Sequence, residues 1–316
     1  MIKIRQRTEK TKKMSKKKVA IISVFFILLV AILSGGLYVS SLLSKINKVD
    51  IKEENLGMTD VSAMGDVSKI QNIALFGVDS KTDKGRSDSI MILTLDQVNK
   101  KMKITSIMRD SYVNIPGKGM DKINHAYAFG GPELAIKTIN ENFGLNINKF
   151  ITVNFDSLGA IIDSLGGVQL KIEEGEVSKI PGINSNGVHT LTGDQALAYA
   201  RIRSDKGGDY QRTQRQRNII QSIYESFRYT ELSEYPKLIS SFLPYITSNM
   251  GSTEIISVGT DFYKTISSGL EQERFPREGE GKGTTINGIY YLQYDLNKAK
   301  EDMQKYIFKN EKVAYK

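Results

Sequence analysis

Between Tyr199 and Arg217 the chain reads YARIRSDKGGDYQRTQRQR, with Arg201, Arg203, Arg212, Arg215 and Arg217 set among Gln211, Gln214 and Gln216. A guanidinium is planar, permanently charged and carries a fork of donors that matches two phosphate oxygens. Guanidinium groups packed this closely repel one another unless an anion lies among them. A solvated basic face with scattered ion pairs is the competing reading. Such a face ordinarily mixes lysine with arginine, and Lys206 is the only lysine here. The stretch therefore favours a polyanion site for phosphate or pyrophosphate.

A second constellation lies upstream. Asp79, Arg86 and Asp88 flank a polar loop between two strongly apolar runs, and Arg109-Asp110 closes a third run. Two carboxylates around one loop suit a hard divalent cation, which takes oxygen ligands; alternatively, Asp88 caps or pairs with Arg86. Beside an arginine cluster the metal reading gains weight, because phosphate, arginine and magnesium recur together in phosphoryl transfer. The two histidines, His125 and His189, have no partner at zinc-ligand spacing. His125 falls in a polar turn where local hydrogen bonding is expected. No Gly-x-Ser-x-Gly elbow and no Walker-type phosphate loop is present.

The elements that must position these residues follow from periodicity. Ile73–Val78, Ser89–Leu95 and Met102–Met108 read as strands, and antiparallel pairing would bring Asp79, Arg86, Asp88, Arg109 and Asp110 to one sheet edge. A helix is predicted from Gly131-Pro132 through Asn142, a strand over Phe150–Phe155, a helix over Asp156–Leu165 closed by Gly166-Gly167, and a strand over Val168–Ile172. Residues 173–192 read as loop-rich. The arginines then sit at the end of one helix and the start of the next, joined by a loop over Lys206–Asp209, with Arg212, Arg215 and Gln216 on one face. Beyond it, helices are predicted over 233–248, interrupted by Pro244, and over 252–269, with a polar loop over Gly279–Thr285, a strand over Ile289–Tyr294 and a helix over Asp295–Phe308. Interleaved strands and helices give an α/β class with one mixed central sheet flanked by helices.

The chain has 316 residues, 40% of them hydrophobic and none of them Cys, which leaves no disulfide framework, thiolate metal site or cysteine nucleophile. Its net charge of +9 belongs to a tail, since residues 1–18 hold nine basic side chains and one acid. Taking those from the 44 basic and 35 acidic residues leaves 35 against 34. Val19 to Ser44 then carries no charge, long enough to cross a hydrocarbon core of roughly 30 Å. The expected plan is a cytoplasmic tail over 1–18, a single transmembrane anchor over 19–43, a linker over 44–71 and an extracytoplasmic domain over 72–316. A cleaved signal peptide is the alternative, though the apolar run is long for one.

In order, the chain carries the anchor, GVD and RSD at 77–79 and 86–88, MRD at 108–110, IPGKGMDKINHAYAFGG at 115–131, VNFD to IDSLGGV within 153–168, and LTGDQALAYARIRSDKGGDYQRTQRQR at 191–217. This ordered set resembles the LytR-CpsA-Psr family of Gram-positive bacteria and covers about residues 70–230. The resemblance implies a membrane-anchored enzyme of the cell surface. Such an enzyme moves a glycopolymer from a polyprenyl-pyrophosphate carrier to the muramic acid hydroxyl of peptidoglycan and releases polyprenyl phosphate. It implies that Asp79 and Asp88 match the acidic positions at a magnesium ion, with Arg86 in the same catalytic motif. It also implies that Arg109, Arg201, Arg203, Arg212 and Gln216 hold the pyrophosphate. Met108 stands where the family commonly has Pro.

The expected partners are therefore a polyprenyl-pyrophosphate-linked glycopolymer, peptidoglycan and membrane lipid. Two other functions share these residues: a membrane-bound regulator, and a polyprenyl-pyrophosphate phosphatase using water as nucleophile. A basic tail inside places the arginines across the membrane from nucleic acid, and no helix-turn-helix pattern appears, so no nucleic-acid partner is expected.

Overall fold

A computed structural model describes residues 44–80, 85–202 and 208–312. The expected tail and anchor, residues 1–43, lie outside the described residues, as does Arg203. Among the described residues no helix is long and apolar enough to cross a membrane. The chain divides at Ser44, and residues 45–316 form one compact unit.

In chain order that unit contains strands β1 (Asn47–Lys48), β2 (Ile70–Val78), β3 (Ser87–Asp96), β4 (Lys101–Ile107), β5 (Tyr112–Ile115) and β6 (Gly119–Lys122). Helix α1 (His125–Phe143), β7 (Lys149–Asn154), α2 (Phe155–Ser164), β8 (Val168–Ile172), α3 (Glu174–Val177), β9 (Gly187–Leu191) and α4 (Gly193–Arg201) follow. Then come α5 (Gly208–Tyr229), α6 (Tyr235–Phe242), β10 (Thr247–Ser248), α7 (Ser252–Thr265), β11 (Leu270–Phe275), the hairpin β12 (Lys282–Ile286) and β13 (Ile289–Gln293), and α8 (Leu296–Phe308).

Seven strands form one mixed sheet in the order β1-β10-β7-β2-β3-β4-β11. As expected, β2, β3 and β4 are antiparallel neighbours, while β7 lies parallel to β2. Side-chain alternation feeds two apolar layers. Ala74, Phe76, Ile90 and Ile92 face one cluster with Ile136, Ile139, Phe143, Met303 and Ile307 from α1 and α8. Ile73, Leu75, Leu93 and Leu95 face the other, with Tyr224 and Phe227 of α5 and Val258 and Phe262 of α7.

Several boundaries differ from expectation. The segment 44–71 is no free linker: β1 pairs with β10, and Leu56 and Val61 are buried in the core. Leu56, Val61 and Ile70 are well buried although Val49 and Met58 stay exposed, and the low overall hydrophobicity of the segment concealed those anchors. Residues 173–192 hold α3 and β9, which pairs with β8, so the stretch is only partly loop. The expected helix over 233–248 stops at Phe242, and its end becomes β10. The expected loop over 279–285 contains β12, whose pairing with β13 keeps β13 out of the central sheet. The sheet edge is instead β11, whose LEQERF sequence has no apolar run and which is held by parallel pairing with β4.

Candidate active site

The carboxylates are placed by the ends of the central strands. Gly77 pairs with Ser89 and Val78 with Ser87, which leaves Asp88 as the extra residue of a β-bulge. Bulges re-aim side chains beside active sites. A Cβ on Gly77 would lie 2.9 Å from the Ser89 Cβ, so the bulge requires glycine there. Asp79 follows β2 directly, its backbone N–H donating to the Arg86 carbonyl at 3.2 Å.

Helix ends place the arginines. Thr192 caps α4 in a reciprocal pair with Gln195, and Arg201 lies in the last turn. Asn154 caps α2 by accepting from Ser157 N–H at 2.8 Å, so Phe155 opens that helix. The Arg201 guanidinium lies 4.4 Å from the centre of the Phe155 ring, a stacking that fixes the fork and leaves its donors exposed. These two helices approach closely: a Cβ on Gly193 would lie 2.3 Å from the Gly159 carbonyl oxygen, and Asp163 Oδ1 accepts from Gly193 N–H at 2.7 Å.

Asp79, Asp88, Arg201, Arg212 and Gln216 thus converge on one cavity of about 200 Å³, with Phe155 and Ala200 completing its wall. Arg109 stands behind Asp88, donating from Nη1 to Asp88 Oδ2 at 2.6 Å and from Nε to Asp209 Oδ2 at 3.2 Å. Arg212 Nη2 lies 3.2 Å from Asp209 Oδ1. Asn124 donates to the second Asp88 oxygen at 3.3 Å, and Lys122 pairs with Asp110 at 2.8 Å.

Burial opposes the charge on Arg109, yet Asp88, Asp209 and Asp110 outweigh it and hold the guanidinium above its ordinary pKa. Burial raises Asp209, and hydrogen bonding to Asp110 raises it further. Burial also works to raise Asp110, but hydrogen bonds from Asp209 and Lys122 leave it below the usual carboxylate range. Arg109 and Arg212 therefore share the carboxylate that follows the first residue of α5.

Not every expected residue converges. Asp88 pairs with Arg109 and not with Arg86, which is exposed and outside the cavity wall. Arg215 does not share the face of Arg212 and Gln216. Its guanidinium turns to Glu176 at 2.6 Å and to the Ile202 carbonyl at 3.0 Å, tying down the chain just after Arg201. Arg217 bonds Gln214. A spacing of three residues turns a side chain about 60° from its partner on a helix, enough to reach a different neighbour. Asp209, Asn124, Lys122 and Phe155 were missed as site residues. Asp209, three residues before Arg212, was the one with a visible signal.

For a divalent cation the donor set fits. Among the described residues the Asp79 carboxylate has no hydrogen-bonding partner, and it faces the same cavity as Asp88. No third acid or histidine joins them among the described residues. Magnesium is commonly held by one or two carboxylates plus substrate phosphates.

The fold and site define an α/β protein with a small cavity walled by arginines and carboxylates. The chain belongs to the LytR_cpsA_psr family, which it matches over residues 36–308. It is 34% identical over 298 residues to the polyisoprenyl-teichoic acid–peptidoglycan teichoic acid transferase TagU of Bacillus anthracis, covering 91% of this chain and 96% of that protein. The TagU of Oceanobacillus iheyensis is 36% identical over 230 residues, 70% of each chain. Among solved structures, the family protein YwtF (TagT) of Bacillus subtilis with bound octaprenyl pyrophosphate lipid superimposes with a TM-score of 0.61 at 25% identity. That match covers 79% of this chain and 97% of YwtF.

Proposed function

We propose that this protein transfers a glycopolymer from a polyprenyl-pyrophosphate carrier to a hydroxyl of peptidoglycan. The observation that carries the reading is the convergence of Arg201, Arg212 and Gln216 with Asp79 and Asp88 on one cavity. Its size suits a phosphate group or two and leaves no room for a polymer, so the chain on either side must lie outside it. The kinship with TagU proteins and with a relative solved around octaprenyl pyrophosphate supports the same chemistry.

In this reading the acceptor hydroxyl attacks the phosphorus that bears the glycan. A new P–O bond forms, the bond to the bridging oxygen breaks, and polyprenyl phosphate leaves with the bonding electrons. Arg201 and Arg212 neutralise the diphosphate and stabilise charge on the leaving phosphate, and Gln216 donates an amide hydrogen. Both Asp88 oxygens already accept hydrogen bonds, so Asp79 is the better candidate to receive the acceptor proton, a role that competes with its holding a metal. Magnesium held by Asp79 and Asp88 would add charge neutralisation at the phosphate oxygens. The lipid tail would follow the second apolar layer, where Leu75, Leu93, Ile151, Phe227, Val258 and Phe262 are only partly buried. The basic tail and uncharged run would anchor the enzyme where that lipid resides, with the domain outside.

The test uses the purified full chain, a lipid-linked donor and peptidoglycan strands. Transfer is expected to fall about 10²–10³-fold in Arg212→Ala, and to respond to magnesium in the parent but weakly in Asp79→Asn. Full parental activity in EDTA would remove the metal. Release of polyprenyl phosphate at an unchanged rate without acceptor would make the enzyme a phosphatase.

A further inference from the structure

Beside the anion cavity, residues on β5, β6, α1 and β13 assemble a strip of aromatic rings that the transfer chemistry does not use. The C-terminal hairpin is docked against the site by backbone: Leu292 N–H donates to the Asp110 carbonyl at 2.8 Å, and Ser111 bridges to Leu292. This sets Tyr290 within electrostatic reach of Asp110 and Asp209, the carboxylates that pair with Arg109. Its phenol is raised first by burial and then by the charges of Asp110 and Asp209, yet 49% of the residue remains exposed. Lys122, which pairs with Asp110 at 2.8 Å, holds its ammonium 5.9 Å from the ring centres of both Tyr290 and Tyr291.

The strip continues outward. Tyr291 packs on Tyr112 with ring centres 4.7 Å apart, and its hydroxyl reaches Asp121 at 3.4 Å. Asp121 also binds His125 Nδ1 at 2.9 Å, and His125 meets the Phe129 ring edge-on at 5.8 Å. Phe129 is 48% exposed, with the Lys118 ammonium 5.7 Å from its centre. Two half-exposed rings thus mark the ends of a connected row whose interior is hydrogen-bonded. Two exposed rings joined by a row of polar groups present apolar faces and hydrogen-bonding edges together, the mixture an amphipathic partner needs.

We infer that this strip is the platform for the acceptor, an N-acetylated glycan strand whose sugar rings lie on Tyr290 and Phe129 with one primary hydroxyl directed into the cavity. The inference rests on the transferase reading. Sugar rings offer an apolar C–H face to an aromatic ring and hydroxyl edges to Asp121, His125 and the lysines between, which is the mixture present here. Continuity decides the occupant. The row begins at Asp110, which touches Arg109, and it lies on the α1 side of the sheet. The apolar layer suited to a lipid tail lies on the opposite side, with α5 and α7. A donor entering tail-first from that side leaves the α1 side open for the acceptor.

The test measures binding of peptide-free strands of alternating N-acetylglucosamine and N-acetylmuramic acid to the full chain in detergent, with no donor present. Tyr290→Ala and Phe129→Ala are each expected to weaken binding roughly three- to tenfold, and Tyr290→Phe to bind as the parent does, since the ring and not the hydroxyl makes the contact. Parental binding by both alanine variants overturns the platform. So does an equal weakening toward a polyol-phosphate chain, which would make the strip a donor surface. Concentration-dependent self-association that Tyr290→Ala abolishes, without strand binding, also overturns it by assigning the strip to a second copy. Octaprenyl pyrophosphate binding should be unchanged in every variant. Its absence in the parent would sink the transferase reading while leaving the strand result to stand separately.

Discussion

Arg109 is the residue on which the charge balance of the site turns. It donates to Asp88 and Asp209 and lies 3.4 Å from Asp110, so one guanidinium keeps three carboxylates compatible. Lysine cannot replace it, because a point charge lacks the fork that reaches Asp88 and Asp209 together. Arg109→Gln should leave these groups with only Lys122 and Arg212 as cations and cost about 3–5 kcal/mol of stability, the usual result of breaking a buried pair. Urea denaturation at neutral pH measures this. The sign of its pH dependence follows from linkage. Without the counter-charge the folded-state carboxylate pKa values move up, and a carboxyl with a raised folded pKa gains stability as pH falls. The deficit of the variant should therefore shrink as pH drops through the range where Asp209, already held above 3.8, takes its proton. A deficit that is constant with pH would mean that Arg109 acts by packing alone.

At the scale of elements, the crossing of α2 and α4 sets the distance between Phe155 and Arg201. Glycine at 193 allows that crossing, since a methyl group would meet backbone atoms of Gly159 that no rotamer change can move. Gly193→Ala should cost about 1–3 kcal/mol, as overpacking does. Because α2 begins with Phe155 and α4 ends with Arg201, activity should fall more than stability explains. The comparison is transfer rate against urea midpoint for Gly193→Ala and for Gly175→Ala, where the added methyl meets open space. Equal behaviour of the two would show that the close approach does not position Arg201.

On the scale of the whole molecule, the last helix is fastened to the central sheet by one buried cation. Lys103 of β4 donates to the carbonyls of Tyr306 at 2.8 Å and Ile307 at 3.1 Å, at the end of α8, where a helix terminus favours positive charge. Burial lowers its pKa to about 8, against the opposing pull of Asp96. Between about 8 and the ordinary 10.5 the unfolded chain holds a proton that the folded chain lacks, so this group adds stability as pH rises through that window. Lys103→Met should lack that increment, and the parent-minus-variant difference should grow from pH 8 to pH 10. A difference independent of pH would mean that the lysine stays charged throughout.

What the sequence determined by itself is what local patterning encodes. Continuous apolar runs marked β2, β3 and β4, and their charged ends located the site edge, because strand pairing must bring those ends together. The density of arginine marked a cluster that needs counter-charges, and the structure supplies two of them as Asp209 beside Arg212 and Glu176 beside Arg215. Tertiary structure decided everything that depends on a neighbour distant in the chain. The bulge that turns Asp88 arises from pairing between β2 and β3, and neither strand shows it alone. Arg215 leaves the site because Glu176, 39 residues upstream, offers it a buried carboxylate. LEQERF is a strand only because β4 presents an open edge to it, and residues 45–71 are part of the domain only because β10 and the core accept them. Periodicity fixes which face a side chain takes on its own element; burial and pairing, which are non-local, fix what that face meets.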